Sequence, residues 1–124
     1  MKILIAHDQA DNARAIKSHL KKIGNQVVVS KSYDETILQV EQHSPDIIIT
    51  DLMYSSRTFQ LITAIKSGPC KKIPILILSG SGQESLVEKA FDLGADDYLS
   101  IPNKINELSL RVHILAKGRA RVTA

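Results

Sequence analysis

Pro45-Asp46-Ile47-Ile48-Ile49-Thr50-Asp51-Leu52-Met53 sets three consecutive isoleucines between a proline and an aspartate. An unbroken β-branched run with polar ends fits a strand buried on both faces, because helices covering both sides of a parallel sheet leave no face for alternating polar residues. Asp46–Thr50 is therefore read as a strand, with Asp51 opening a polar loop that runs to Arg57. Working outward, Lys2–Ala6, Val27–Val29, Ile73–Leu78 and Asp97–Ser100 carry the same short apolar signature.

Helical spacing fills the intervals. From Asp11 to Ile23, residues Ala13, Ile16, Leu20 and Ile23 recur in steps of three and four, with Gly24 as the stop. Ser32 and Glu35 form a capping-box signature for a helix with Tyr33, Ile37 and Val40 inward, ended by Ser44-Pro45. Phe59, Leu61, Ile62 and Ile65 mark a third helix, broken by Gly68-Pro69. Ser81 and Glu84 predict a second capping box for a helix carrying Leu86, Ala90 and Leu93, with Gly94 closing it. From about Asn103, Ile105, Leu108, Val112 and Leu115 mark the last helix. Strand-helix alternation repeated five times with short connections predicts a doubly wound parallel sheet covered on both faces.

The totals agree with one such domain. The chain has 124 residues, 44% hydrophobic and 23% charged, enough for one core of mainly Ile, Leu, Val and Ala but not for two. The expected layout is a domain over 1–118 and a tail or linker over 119–124. No apolar run approaches the roughly 20 residues of a membrane span, and Met1-Lys2 leads straight into a strand without a leader pattern, so the expected address is the cytoplasm. Cys70 is the single cysteine and is read as a loop thiol. The net charge of +3 and the small basic clusters, Lys117-Gly118-Arg119-Ala120-Arg121 included, read as solvated surface, and nucleic-acid binding is not expected. His19, His43 and His113 are read as helix-surface or edge positions.

In open parallel sheets, ligands gather beyond the carboxyl ends of the strands where the winding reverses. The residues there are His7 and Asp8, Asp51, Ser79-Gly80 and Ile101-Pro102. A nucleotide-binding domain or small flavodoxin-like enzyme ranks last, because Asp8-Gln9-Ala10-Asp11 stands where a glycine-rich phosphate loop would follow the first strand.

At these strand ends the chain resembles a response-regulator receiver domain of two-component systems, from the Lys2 strand to the last helix. The 45–53 stretch resembles the family's strand into its phosphoacceptor, which assigns that role to Asp51. Ile73-Pro74-Ile75-Leu76-Ile77-Leu78-Ser79-Gly80 resembles the strand into the hydroxyl residue, and Gly94-Ala95-Asp96-Asp97-Tyr98-Leu99-Ser100-Ile101-Pro102 is similar to the stretch that ends in lysine-proline. The resemblance implies a flavodoxin-like fold with strand order 2-1-3-4-5. It implies Mg²⁺ held by Asp8, Asp51 and the Met53 backbone carbonyl, hard oxygens of the kind that ion takes. Ser79 would bond the phosphoryl oxygens and Tyr98 would turn inward as the aromatic switch. A histidine kinase or phosphotransfer protein is the implied donor, with an output domain or protein target downstream and a homodimer through the fourth helix, fifth strand and fifth helix. Any catalysis would be limited to self-phosphorylation and slow self-dephosphorylation.

Two positions depart from the family's pattern. His7 replaces one of the paired acidic residues; if protonated it repels the ion, and if neutral it holds a metal-bound water or only a local hydrogen bond. Ile101 stands at the usual lysine, and an aliphatic side chain cannot bind a phosphoryl oxygen. Simpler roles stay open for the rest: Asp51 as a strand-ending polar residue, Asp8 as an acid at a helix N-terminus, Ser79 as a turn cap and Tyr98 as a core or interface aromatic. The leading expectation is a phosphorelay receiver; its rival is a pseudo-receiver that docks partners without phosphorylation.

Overall fold

The computed structural model describes residues 1–6, 10–52, 57–80, 83–100 and 105–123, and the side chains of all these except 10–12, 105 and 119–123. His7, Asp8, Met53 and Ile101 lie outside the described residues. The order is β1 (Lys2–Ala6), α1 (Ala10–Lys21), β2 (Gln26–Ser30), α2 (Tyr33–His43), β3 (Ile47–Asp51), α3 (Thr58–Lys66), β4 (Ile75–Ser79), α4 (Glu84–Asp92), β5 (Asp97–Ser100) and, after a 3-10 turn at Ile105–Glu107, α5 (Leu108–Thr123). The five strands form one parallel sheet in the order β2-β1-β3-β4-β5, the flavodoxin-like arrangement expected.

Alternation along the strands sorts the core into two layers. Leu4, Ile48, Ile75 and Ile77 face α2, α3 and α4, where Val40, Leu61, Ile62, Ile65 and Ala90 meet them. Ile3, Ile5, Ile47, Ile49, Leu76, Leu78 and Leu99 face the opposite way, against Ile16 and Leu20 of α1 and Leu108 and Val112 of α5. Ile47, Ile48 and Ile49 are each fully buried, as a strand covered on both sides requires.

Local chemistry sets the ends. The Ser32 hydroxyl accepts the Glu35 N–H at 3.1 Å, completing half of the expected capping box, while the Glu35 carboxylate takes the Lys31 N–H at 3.3 Å instead of that of Ser32. Ser44 ends α2 in the left-handed region at φ 43°, donating its N–H to the Val40 carbonyl; Pro45 next to it disfavours helical backbone at that position. Three expectations need correction. Regular helix in α1 ends at Lys21, so Ile23 is 57% exposed instead of buried. Gln83 occupies the N-cap position of α4, whereas Ser81, expected there, lies outside the described residues; Gln83 makes no side-chain cap bond, its amide oxygen being engaged by the Gly80 N–H at 2.7 Å. His19 is partly buried, with an Nε2 that has no hydrogen-bond partner. Cys70 packs partly buried against the α2–α4 layer.

A polar junction fixes β4 to β5 from below. Gly94, at φ 117°, lies so close to Lys66 that a Cβ there would sit 2.8 Å from Lys66 Cγ. Lys66 Nζ donates to the Ile73 carbonyl at 2.9 Å and to Asp96 Oδ2 at 2.8 Å, and the same Oδ2 accepts the Ile75 N–H at 2.8 Å. One carboxylate oxygen therefore anchors the start of β4, the end of α3 and the approach to β5.

Candidate functional site at the carboxyl edge of the sheet

The winding reverses between β1 and β3, since β1 lies between β2 and β3 while the chain proceeds through β3, β4 and β5 in order. Parallel register brings the strand ends there to one edge. Ala6 pairs with Thr50, Asp51 with Leu78, and Ser79 with Ser100. Asp51 is thus the last residue of β3, one step past the end of β1, and Ser79 is the last residue of β4 on the neighbouring strand. Asp51 is partly buried, and its backbone carbonyl accepts from Thr58 Oγ1 at a long 3.5 Å, which ties the strand end to the first residue of α3. The chain leaves Ala6 toward His7 and Asp8.

Ser79 is 3% exposed and lines the groove beside it. Beside it a groove of about 450 Å³ opens between α4 and β5, lined by Ser79, Gln83, Val87, Phe91, Tyr98 and Ser100 among others. Ile77 pairs with Tyr98 and Ser79 with Ser100, so the two residues of β5 that share a face with Ser79 are Tyr98 and Ser100. Tyr98 is 45% exposed and meets Phe91 of α4 edge-to-face, with ring centroids 6.0 Å apart. The ring therefore stands outward over the groove instead of filling it.

Of the positions expected from the sequence, Asp51, Ser79 and Tyr98 fall on adjoining strands at the edge and its flanking groove. Among the described residues no group of three or more His, Cys, Asp or Glu side chains stands together as a metal cluster. Two groove residues were not singled out by sequence reading. Ser100 follows from register with Ser79, a signal that exists only once the strands are paired. Gln83 carries no sequence signal. Outside the groove, Thr50 of β3 lies next to Asp51 with a buried hydroxyl that has no partner among the described residues.

Comparison with known proteins places this arrangement. Residues 3–113 match the family described as the response regulator receiver domain. The KDP operon transcriptional regulatory protein KdpE of Escherichia coli is 29% identical over 123 residues, covering 98% of this chain and 54% of that protein. The phosphate regulon transcriptional regulatory protein PhoB of the same organism is 29% identical over 113 residues, covering 90% of this chain and 49% of that protein. The chain thus spans about half the length of these curated relatives. A response regulator receiver domain protein from Clostridium thermocellum superposes with a TM-score of 0.87 at 26% identity, over 98% of both chains.

Proposed function

The chain belongs to the response regulator receiver domain family of two-component systems, and from that premise we propose that it accepts a phosphoryl group on Asp51 from a histidine kinase or a phosphotransfer protein. The observation that carries this reading is the position of Asp51: a partly buried aspartate at the end of a central strand, at the reversal of winding, with a buried serine ending the next strand.

In the proposed transfer an Asp51 carboxylate oxygen bonds to phosphorus as the phosphorus–nitrogen bond of the donor breaks, and the released imidazole takes up a proton. The donor set fits a hard divalent ion: the carboxylates of Asp51 and Asp8 and the carbonyl of Met53 are all oxygens. A bound Mg²⁺ would supply charge neutralisation and alignment for the incoming phosphoryl group. Ser79 would then donate its hydroxyl to a phosphoryl oxygen, and the movement would free space for the Tyr98 ring to turn into the groove it now overhangs. The exposed faces of Leu110 and Ile114 on α5, next to β5, support pairing of two copies through that side once the switch is thrown.

Two replacements weaken the site in this reading. His7 removes a negative charge from the ion's surroundings, and Ile101 removes the cation expected to bind and report the phosphoryl group. Loss of one preorganised donor costs about 3 kcal/mol in comparable sites. These replacements favour a second reading, a docking module that works without phosphorylation. Incubation with Mg²⁺ and a small phosphodonor, followed by intact mass and peptide mapping, decides between them: the first reading requires an adduct on Asp51 that Asp51→Asn abolishes. No adduct under generous donor concentrations leaves the docking module.

A further inference from the structure

Two helices on opposite layers of the sheet carry charge of opposite sign in matching stripes. On α1, Arg14, Lys17 and Lys21 share the side away from the core residues Ala13, Ile16 and Leu20, and Lys22 continues the stripe, its N–H bonded to the Ser18 carbonyl at 3.2 Å. On α4, Glu84, Glu88 and Asp92 recur at intervals of four on the exposed side, opposite Ala90. Lys89, the cation of that helix, is drawn off the stripe and lies 4.5 Å over the Phe59 ring. Among the described residues, no ion pair engages either stripe; the pairs present join Arg57 to Asp34, Lys66 to Asp96, and Arg111 to Asp97 and Glu107.

The stripes also match in length. Arg14 to Lys22 and Glu84 to Asp92 each span eight steps of about 1.5 Å, about 12 Å along a helix axis. Each ends beside apolar surface: Ile23, 57% exposed, follows Lys22, and Phe91, 40% exposed, adjoins Asp92. Laid parallel, α1 of one molecule against α4 of another pairs cations with carboxylates along the whole stripe and brings Ile23 to the Phe91–Tyr98 pair.

We propose that the chain self-associates head to tail, the basic face of α1 docking on the acidic face of α4 of a second copy. Both complementary surfaces belong to one molecule, which is why a second copy is the occupant these observations favour. Because α1 and α4 lie on opposite layers, the contact is heterologous and leaves a free stripe at each end of every complex. It differs from the symmetric pairing through α5, which closes after two copies. With its contacts mainly at exposed charges, the association is weak and salt-sensitive.

Sedimentation velocity on the full chain, unphosphorylated, tests it. At low ionic strength the weight-average mass should climb with concentration beyond twice 13.7 kDa, and the apparent association constant should fall at least about tenfold on raising salt to about 1 M, where the screening length is about 3 Å. Lys17→Glu with Lys21→Glu, and Glu84→Lys with Glu88→Lys, should each remain monomeric alone, with unchanged far-UV circular dichroism. An equimolar mixture of the two should associate again, since each then offers the other two attractive faces. Failure of the mixture to associate, a salt-insensitive dimer, or a wild-type monomer at all concentrations would overturn the proposal. So would a monomer whose α1 stripe instead captures duplex DNA or anionic vesicles, binding that the Lys17→Glu, Lys21→Glu variant loses.

Discussion

Thr50 and Ile101 are the single residues at which the proposed reading of the carboxyl edge is most directly tested. The Thr50 hydroxyl is buried with no partner among the described residues, next to Asp51. An unpaired buried hydroxyl costs about 1–3 kcal/mol, so Thr50→Val, which keeps the shape and removes the polar group, should raise stability by about 1 kcal/mol. The urea midpoint should rise with the slope unchanged. If the midpoint falls instead, the hydroxyl has a partner in solution. At the site itself, Ile101→Lys combined with His7→Asp restores the charges the family pattern calls for, and it should raise both Mg²⁺ affinity and the yield of adduct on Asp51. Mg²⁺ titration by calorimetry and intact mass read the two effects separately, and no gain in either would place the weakness elsewhere.

Elements are held by a few polar anchors that sequence spacing only hints at. Gly94 is required twice over, by its φ of 117° and by the 2.8 Å a Cβ would leave to Lys66 Cγ. Lys66 cannot easily retreat, because its ammonium is bonded to the Ile73 carbonyl and to Asp96. Gly94→Ala should therefore destabilise the fold by about 2 kcal/mol or more, through backbone strain and crowding together. In a Lys66→Ala background the 2.8 Å clash with Cγ is gone, and the backbone cost and the 3.2 Å approach of the residue-66 Cβ remain, so the same substitution should cost measurably less; equal costs in both backgrounds would exclude the Cγ clash. Ser32→Ala should cost about 1 kcal/mol by removing the acceptor for the Glu35 N–H, measured by denaturant unfolding.

At the scale of the whole molecule, one sheet joins two core layers, so neither should melt without the other. Ile16→Ala on the α1 side and Ile62→Ala on the α3 side each open a fully buried site and should each cost about 2–5 kcal/mol. Far-UV circular dichroism and tyrosine fluorescence should report one coincident transition in both variants; two separated transitions would mean the layers are independent. The strands at Ile47–Ile49 and Ile75–Leu78, the inward helix positions Ile16, Leu20, Ala90, Leu108 and Val112, and the family itself were all legible in the sequence. Burial by helices on both faces leaves apolar runs and helical spacing in the chain whatever the partners are. Helix ends were less legible: Ile23 continues the apolar spacing of α1 yet lies past its last turn, and the Gln83 amide is taken up by Gly80, because a terminus depends on backbone groups competing for nearby acceptors. Only the tertiary structure set Ser100 beside Ser79, stood Tyr98 over the groove, and joined Lys66 to Asp96 across thirty positions. Those relations arise from strand register and layer packing, which connect residues distant along the chain and leave no periodic trace in it.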